Sequence, residues 1–261
     1  MKLDQARLAR HSNWVVRRRP RLQRALSRLH ARLYQRTGGR FLPRWFAGVM
    51  SNGYRQAVAT KPARRTQAER REATTGALVE AARELFAQDG YAATSIDAVA
   101  AKARVTKGAF YHHFDGKPQL FEAVFACEVA RLTTALAAVY VRKKDPWAAF
   151  EAGCRAFLEE CLEPGLQRIL LLDGTAAIGW EAMRRLEAPL FEMMEIGITR
   201  AVEAGRIAPR PAGPLSHFLF GALCETAMVV ARVEDQKAAH RKAVTELCRV
   251  MDGLAFGAAA R

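Results

Sequence analysis

The chain lacks the features that mark membrane insertion, export and disulfide scaffolds. No uninterrupted apolar run approaches the roughly 18–20 residues that a membrane-spanning helix needs, and no apolar signal segment opens the sequence. Cysteine is sparse: Cys127, Cys154, Cys161, Cys224 and Cys248 are an odd set with no short paired spacing. That pattern argues against a disulfide framework or a zinc ribbon. Strand-like period-two alternation is also missing, and acids are almost absent from the first 60 residues, where Asp4 stands alone. What is present is a globular composition, 50% apolar and 26% charged. The expectation is a reduced, cytoplasmic, all-α protein.

Basicity is unevenly spread. The formal net charge is +15, yet residues 1–60 hold 14 Lys/Arg against one acid. Residues 61–126 hold 10 cations and 8 acids, and residues 127–261 hold 17 of each. A nucleic-acid argument from the overall charge would therefore rest on the wrong segment.

Periodicity divides the chain into a basic extension, 1–60, and two helical parts, 61–125 and 126–261. In the extension, Leu22, Leu26, Leu29 and Leu33 form a helical stripe opposed by arginines. Residues 60–71, rich in Ala, Lys and Arg, read as a linker or flexible arm. Leu78, Ala82, Leu85 and Phe86 then mark a first helix, with Gly90 placed to stop it. Thr94 with Asp97 three residues on has the form of a capping box for a second. A third short helix is expected from Thr106 to about His113, and Pro118 falls in the first turn of a fourth. Further helices are expected near 146–163, 166–178, 180–204, 214–233 and 236–255.

Two short helices joined by Ala103-Arg104-Val105, with a third packed behind, describe a helix-turn-helix. The second short helix of such a unit enters the major groove, and its first residues meet base edges. Here those are Thr106, Lys107, Gly108 and Ala109. Gly108 costs about 1 kcal/mol of helix propensity relative to Ala, which makes sense if backbone approaches DNA closely. Tyr111 and His112, with His113 beside them, would reach phosphates or bases, and Lys117 would contact a phosphate. Adjacent His112 and His113 point apart on a helix and do not suggest a metal site.

The stretch 78–125 resembles the N-terminal domain of TetR-type (tetracycline-repressor-like) transcriptional regulators. The shared features are the A-A-x-x-L-F helix end at Ala81 to Phe86, Gly90-Tyr91, Thr94-Ser95, and above all VTKGAFYHHFDGK from Val105 to Lys117. The resemblance implies DNA contact by Thr94, Ser95, Thr106, Lys107, Gly108, Ala109, Tyr111, His112, His113 and Lys117. Arg104 stands where the family usually has a turn glycine, which implies backbone strain or an added cation at the groove.

A regulator of this type needs an effector cavity, and Met and aromatic walls suit an apolar or aromatic ligand. The candidates are Trp147, Phe150, Phe157, Trp180, Met183, Phe191, Met194, Phe218 and Met228. The last two helices are the expected dimer surface, through Leu215, Phe218, Leu219, Ala222, Val229, Val230, Val244, Leu247 and Met251. In the family these helices pair with their symmetry mates as a four-helix bundle.

The reading is thus a homodimeric DNA-binding repressor of a near-palindromic operator, released by a small-molecule effector and needing no cofactor, metal or catalytic residue. An activator of the same fold is the alternative. A reading from another class rests on residues 1–60, where RLHARLYQRTGGRF faintly resembles the leading helix of deazaflavin-dependent nitroreductases. The strand and phosphate-binding core that should follow is absent. The extension is otherwise a DNA arm, a basic amphipathic helix lying on a membrane surface, or a stretch included by a start codon placed too early. The last is favoured, with Met50 as the alternative start.

Overall fold

The computed structural model of this protein describes residues 66–259. The expectations for 1–60 lie outside the described residues. Helix α1 runs from Gln67 to Ala93 and begins earlier than the apolar stripe suggests. Thr66 explains this: its hydroxyl accepts from the Glu69 backbone N–H while the Glu69 carboxylate accepts from the Thr66 N–H, a reciprocal cap. Residues 67–71 of the segment expected to be a linker are therefore helix. At Gly90 the backbone takes a positive φ, +81°, which kinks α1 there, and the helical run resumes to Ala93 instead of stopping as expected.

Helices α2 (Ile96–Lys102) and α3 (Lys107–Tyr111) are short, and α4 (Lys117–Tyr140) is long. Then come α5 (Pro146–Glu160), the single turn α6 (Pro164–Leu166), a π-helical segment (Gln167–Asp173), α7 (Gly174–Glu203), α8 (Ala212–Arg232) and α9 (Gln236–Ala259). Gly179, at φ +77°, kinks α7 where two separate helices were expected to meet. No strand occurs among the described residues. The fold class is all-α, as read from the sequence.

Two apolar clusters share α4. Toward its start, Leu120, Phe121, Val124 and Phe125 are fully buried with Leu78 and Phe86 of α1 and Phe110 of α3. The rings of Phe86 and Phe121 meet edge-on at 5.1 Å. Farther along, α4 packs against α5 and α7, where Phe150 and Ile198 are fully buried. Helices α4 and α8 each reach a mean hydropathy of 1.4 over 18 residues, enough by length and composition to cross a bilayer. Charged residues such as Glu128 and Arg131 keep every uninterrupted apolar run in α4 short, so the absence of a long run stands beside this averaged value. In the fold, α4 spends this apolar surface on packing against α1, α5 and α7.

The segment from Glu163 to Asp173 lies along α1. Arg83 of α1 bonds the buried Glu128 carboxylate of α4 through Nε at 2.7 Å, and its Nη2 comes within 3.9 Å of Glu163. Glu163 in turn caps α6 by accepting from the Gly165 and Leu166 N–H groups. At the far end, Asp173 accepts from the Tyr91 backbone N–H at 2.7 Å and from Arg168 at 3.2 Å. The thiols of Cys127 and Cys154 are pushed up by burial to about 11 and about 12 and stay protonated. They pack as small apolar groups.

Candidate functional site

The α2–turn–α3 unit is built by two side-chain caps and one inward ring. Ser95 begins α2, its hydroxyl accepting from the Ala98 N–H at 3.1 Å. The cap expected at Thr94 thus falls one residue later. Thr94 itself is buried, with Oγ1 donating to the Gly90 carbonyl at 2.8 Å, and it does not face outward as a DNA contact would. Thr106 begins α3 in the same manner, accepting from the Ala109 N–H at 3.1 Å. Phe110 anchors α3 in the core with no exposed surface, and Phe114 follows it inward.

Anchoring Phe110 turns the opposite arc of α3 outward. Thr106, Lys107, Gly108, Tyr111 and His112 are exposed, Tyr111 by 51%, with Ala109 half-buried at the edge. Lys107 reaches Asp97 of α2 at 3.0 Å. A Cβ at Gly108 would meet nothing closer than Thr106 Oγ1 at 3.9 Å, so the chain's own packing gives no reason for glycine there. Arg104, at φ +58°, takes the left-handed turn conformation that glycine usually supplies, and its side chain is exposed.

Two expected contacts are tied to the fold. His113 is half-buried, with Nδ1 against Thr75 Oγ1 of α1 at 2.9 Å. Its pKa is lowered by burial, then by Arg71 and His112, so the ring is held neutral. Lys117 Nζ donates to the carbonyls of Tyr91, Ala92 and Thr94 at 2.8, 3.3 and 3.0 Å, and stands 4.4 Å above the Tyr91 ring. Its three protons are used in joining the end of α1 to the start of α4. No charge pattern in the sequence signals this, because the carbonyls that hold it lie some 25 residues away in the chain.

The second candidate site is a cavity between α4, α5, α7 and α8. Its volume is about 30 Å³. Of the residues expected to line it, Phe150, Phe157 and Met194 do so. Trp147 stacks behind Phe150 at 5.5 Å, Met183 packs on Thr175, and Phe191 packs on His217. Met228 is half-buried outside the lining, while Trp180 and Phe218 point outward, 63% and 70% exposed. The sequence reading missed Leu136, Tyr140, Gly153, Cys154, Leu190, Met193, Phe220 and Leu223. Phe220 was findable: it stands two positions, roughly 200° around a helix, from the outward Phe218.

The expected dimer residues divide between two faces. Leu219, Val230 and Met251 are buried within the chain, which corrects their assignment. Leu215, Val244 and Leu247 are half-buried. Phe218, Ala222 and Val229 are exposed on α8, Val233 is exposed just past its end, and Val250 is exposed on α9.

A capped, outward-turned short helix set across a second one, on an aromatic three-helix core, defines a helix-turn-helix protein. Residues 78–124 match the bacterial regulatory proteins of the tetR family, and residues 147–254 match a tetracyclin repressor-like C-terminal domain. A TetR-family transcriptional regulator from Pectobacterium atrosepticum superposes with a TM-score of 0.65 at 35% identity, covering 73% of this chain and 98% of that one. The Transposon Tn10 TetC protein of Escherichia coli is 33% identical over 124 residues, which is 46% of this chain and 60% of its own length. The HTH-type transcriptional regulator TtgW of Pseudomonas putida is 44% identical over 64 residues, 24% of this chain and 47% of its own length. The chain thus spans about half the length of these last two relatives. It belongs to the TetR family of transcriptional regulators.

Proposed function

We propose that the protein is a dimeric repressor that binds a near-palindromic operator in the cytoplasm and is released from it by a small apolar or aromatic effector. Residues 61–125 form the DNA-binding part, and the helices from 126 onward form the effector and dimer part. α4 runs unbroken across that boundary. The observation that carries the DNA reading is the outward arc of α3, where Thr106, Lys107, Gly108 and Tyr111 are exposed around an inward Phe110. Ser95, Arg104 and His112 flank it. Two copies would set their α3 helices in successive major grooves, roughly 34–36 Å apart. An effector that prefers another separation would shift the population off DNA.

Lys107→Ala and Tyr111→Ala test this. Both side chains are exposed, so both variants should keep the wild-type melting temperature and bind operator more weakly. A lost phosphate contact lowers the slope of log affinity against log salt by about 0.9, whereas a lost base contact relaxes preference at one position. Unchanged operator affinity in both variants would remove α3 from the interface.

A further inference from the structure

The cavity between α4, α5, α7 and α8 has one polar feature that its apolar walls do not explain. Tyr140, at the end of α4, lines it and is half-buried, and its hydroxyl keeps enough exposure to stay open to a guest. Two helix-interior glycines make room for this side chain. A Cβ at Gly153 of α5 would run into the Tyr140 ring, and one at Gly197 of α7 would meet the Phe150 ring at 2.7 Å and the Tyr140 hydroxyl oxygen at 2.8 Å. Glycine is unfavourable inside a helix, so the tyrosine is accommodated at some expense to both α5 and α7. Burial raises its pKa, which keeps the phenol protonated as both donor and acceptor.

No Asp, Glu, Lys, Arg or His lines the cavity. The ions around it are Arg184, which stands 5.0 Å over the Phe220 ring and is paired with Glu187 at 3.1 Å, and the exposed Arg200 near Tyr140. An ionised ligand would find no charged group in the lining itself, and Arg200, the cation near Tyr140, is exposed to water that screens it. Met193 and Met194 give the wall its adaptability, and a cavity of about 30 Å³ admits a single ring only as they move.

We propose that this cavity takes a small, uncharged effector with an apolar body and one hydrogen-bonding group, and that the Tyr140 hydroxyl is the residue that reads that group. The proposal rests on the effector reading above and adds the chemistry of the ligand. It separates a phenol- or ketone-like compound from a hydrocarbon on one side and from a carboxylate on the other.

Calorimetric titration of the full chain with 4-ethylphenol, ethylbenzene and 4-ethylbenzoate tests it. The wild type should bind 4-ethylphenol about tenfold more tightly than ethylbenzene, the worth of one net hydrogen bond. It should bind 4-ethylbenzoate most weakly. In Tyr140→Phe the two neutral probes should bind alike, with ethylbenzene unchanged. Gly153→Ala, which displaces the ring, should also erase the preference, and circular dichroism melts establish that each variant is folded. A phenol preference that survives in folded Tyr140→Phe overturns the role of the hydroxyl alone. Tighter binding of 4-ethylbenzoate overturns the uncharged class. Failure of the wild type to bind any probe overturns the effector cavity itself, and this proposal with it.

Discussion

Arg104 is the one non-glycine with positive φ among the described residues, and it stands in the turn between α2 and α3. An L-residue held left-handed costs about 1–2 kcal/mol, and part of that returns as unfolded-chain entropy when glycine replaces it. Arg104→Gly should therefore stabilise the protein by about 1 kcal/mol, read from the midpoint of urea unfolding. If the same variant also weakens operator binding, the strain is kept for the sake of the cation. The outward Lys107, Gly108 and Tyr111 were legible from residue type and spacing, and the strained turn at Arg104 from the resemblance to the family. Thr94, His113 and Lys117 were not, because what holds them inward is a backbone carbonyl or a hydroxyl brought close by the fold. A motif fixes which residues occur together, whereas the partner that claims each polar atom is a tertiary fact.

Among the elements, α1 carries the connection between the two helical parts. Glu128 of α4 is 2% exposed and is held by Arg83 of α1 at 2.7 Å and Arg131 at 2.9 Å. Arg131 also meets Glu80 of α1 at 3.0 Å, so charges alternate from Glu80 through Arg131, Glu128 and Arg83 toward Glu163. Glu128→Gln removes the central charge and leaves two arginines facing a neutral amide. Breaking a fully buried pair costs roughly 3–5 kcal/mol, but the arginines here are 24% and 47% exposed, so a loss of about 2 kcal/mol is expected. Chemical denaturation measures it, and a change within about 0.5 kcal/mol would mean that the network is a solvated surface feature. Sequence periodicity found nearly every helix but could not orient α8. That helix is apolar almost all round, and only the fold separates inward Leu219, Leu223, Ala227 and Val230 from outward Phe218, Ala222 and Val229. The start of α1 was misjudged for the converse reason: its first turns are too polar to show a stripe, and the Thr66–Glu69 cap carries the signal instead.

For the whole molecule, the outward stripe on α8 gives the proposed dimer a face of its own, distinct from the cavity walls. Val229 is 51% exposed at its middle. Val229→Arg should leave the melting transition of the isolated fold nearly unchanged and yield monomers in sedimentation at micromolar concentration, because like charges would face each other across a two-fold axis. Loss of the second half-site should weaken operator binding by orders of magnitude without altering α3. The measurement that tests the central claim most directly is sequencing of the DNA that the purified full chain enriches from random duplexes, run beside Tyr111→Ala. The account predicts two inverted half-sites centred about one helical turn apart, with the preference at one position per half-site relaxed in the variant. Enrichment of no common sequence, or of a motif that Tyr111→Ala reads identically and that lacks inverted symmetry, would contradict it.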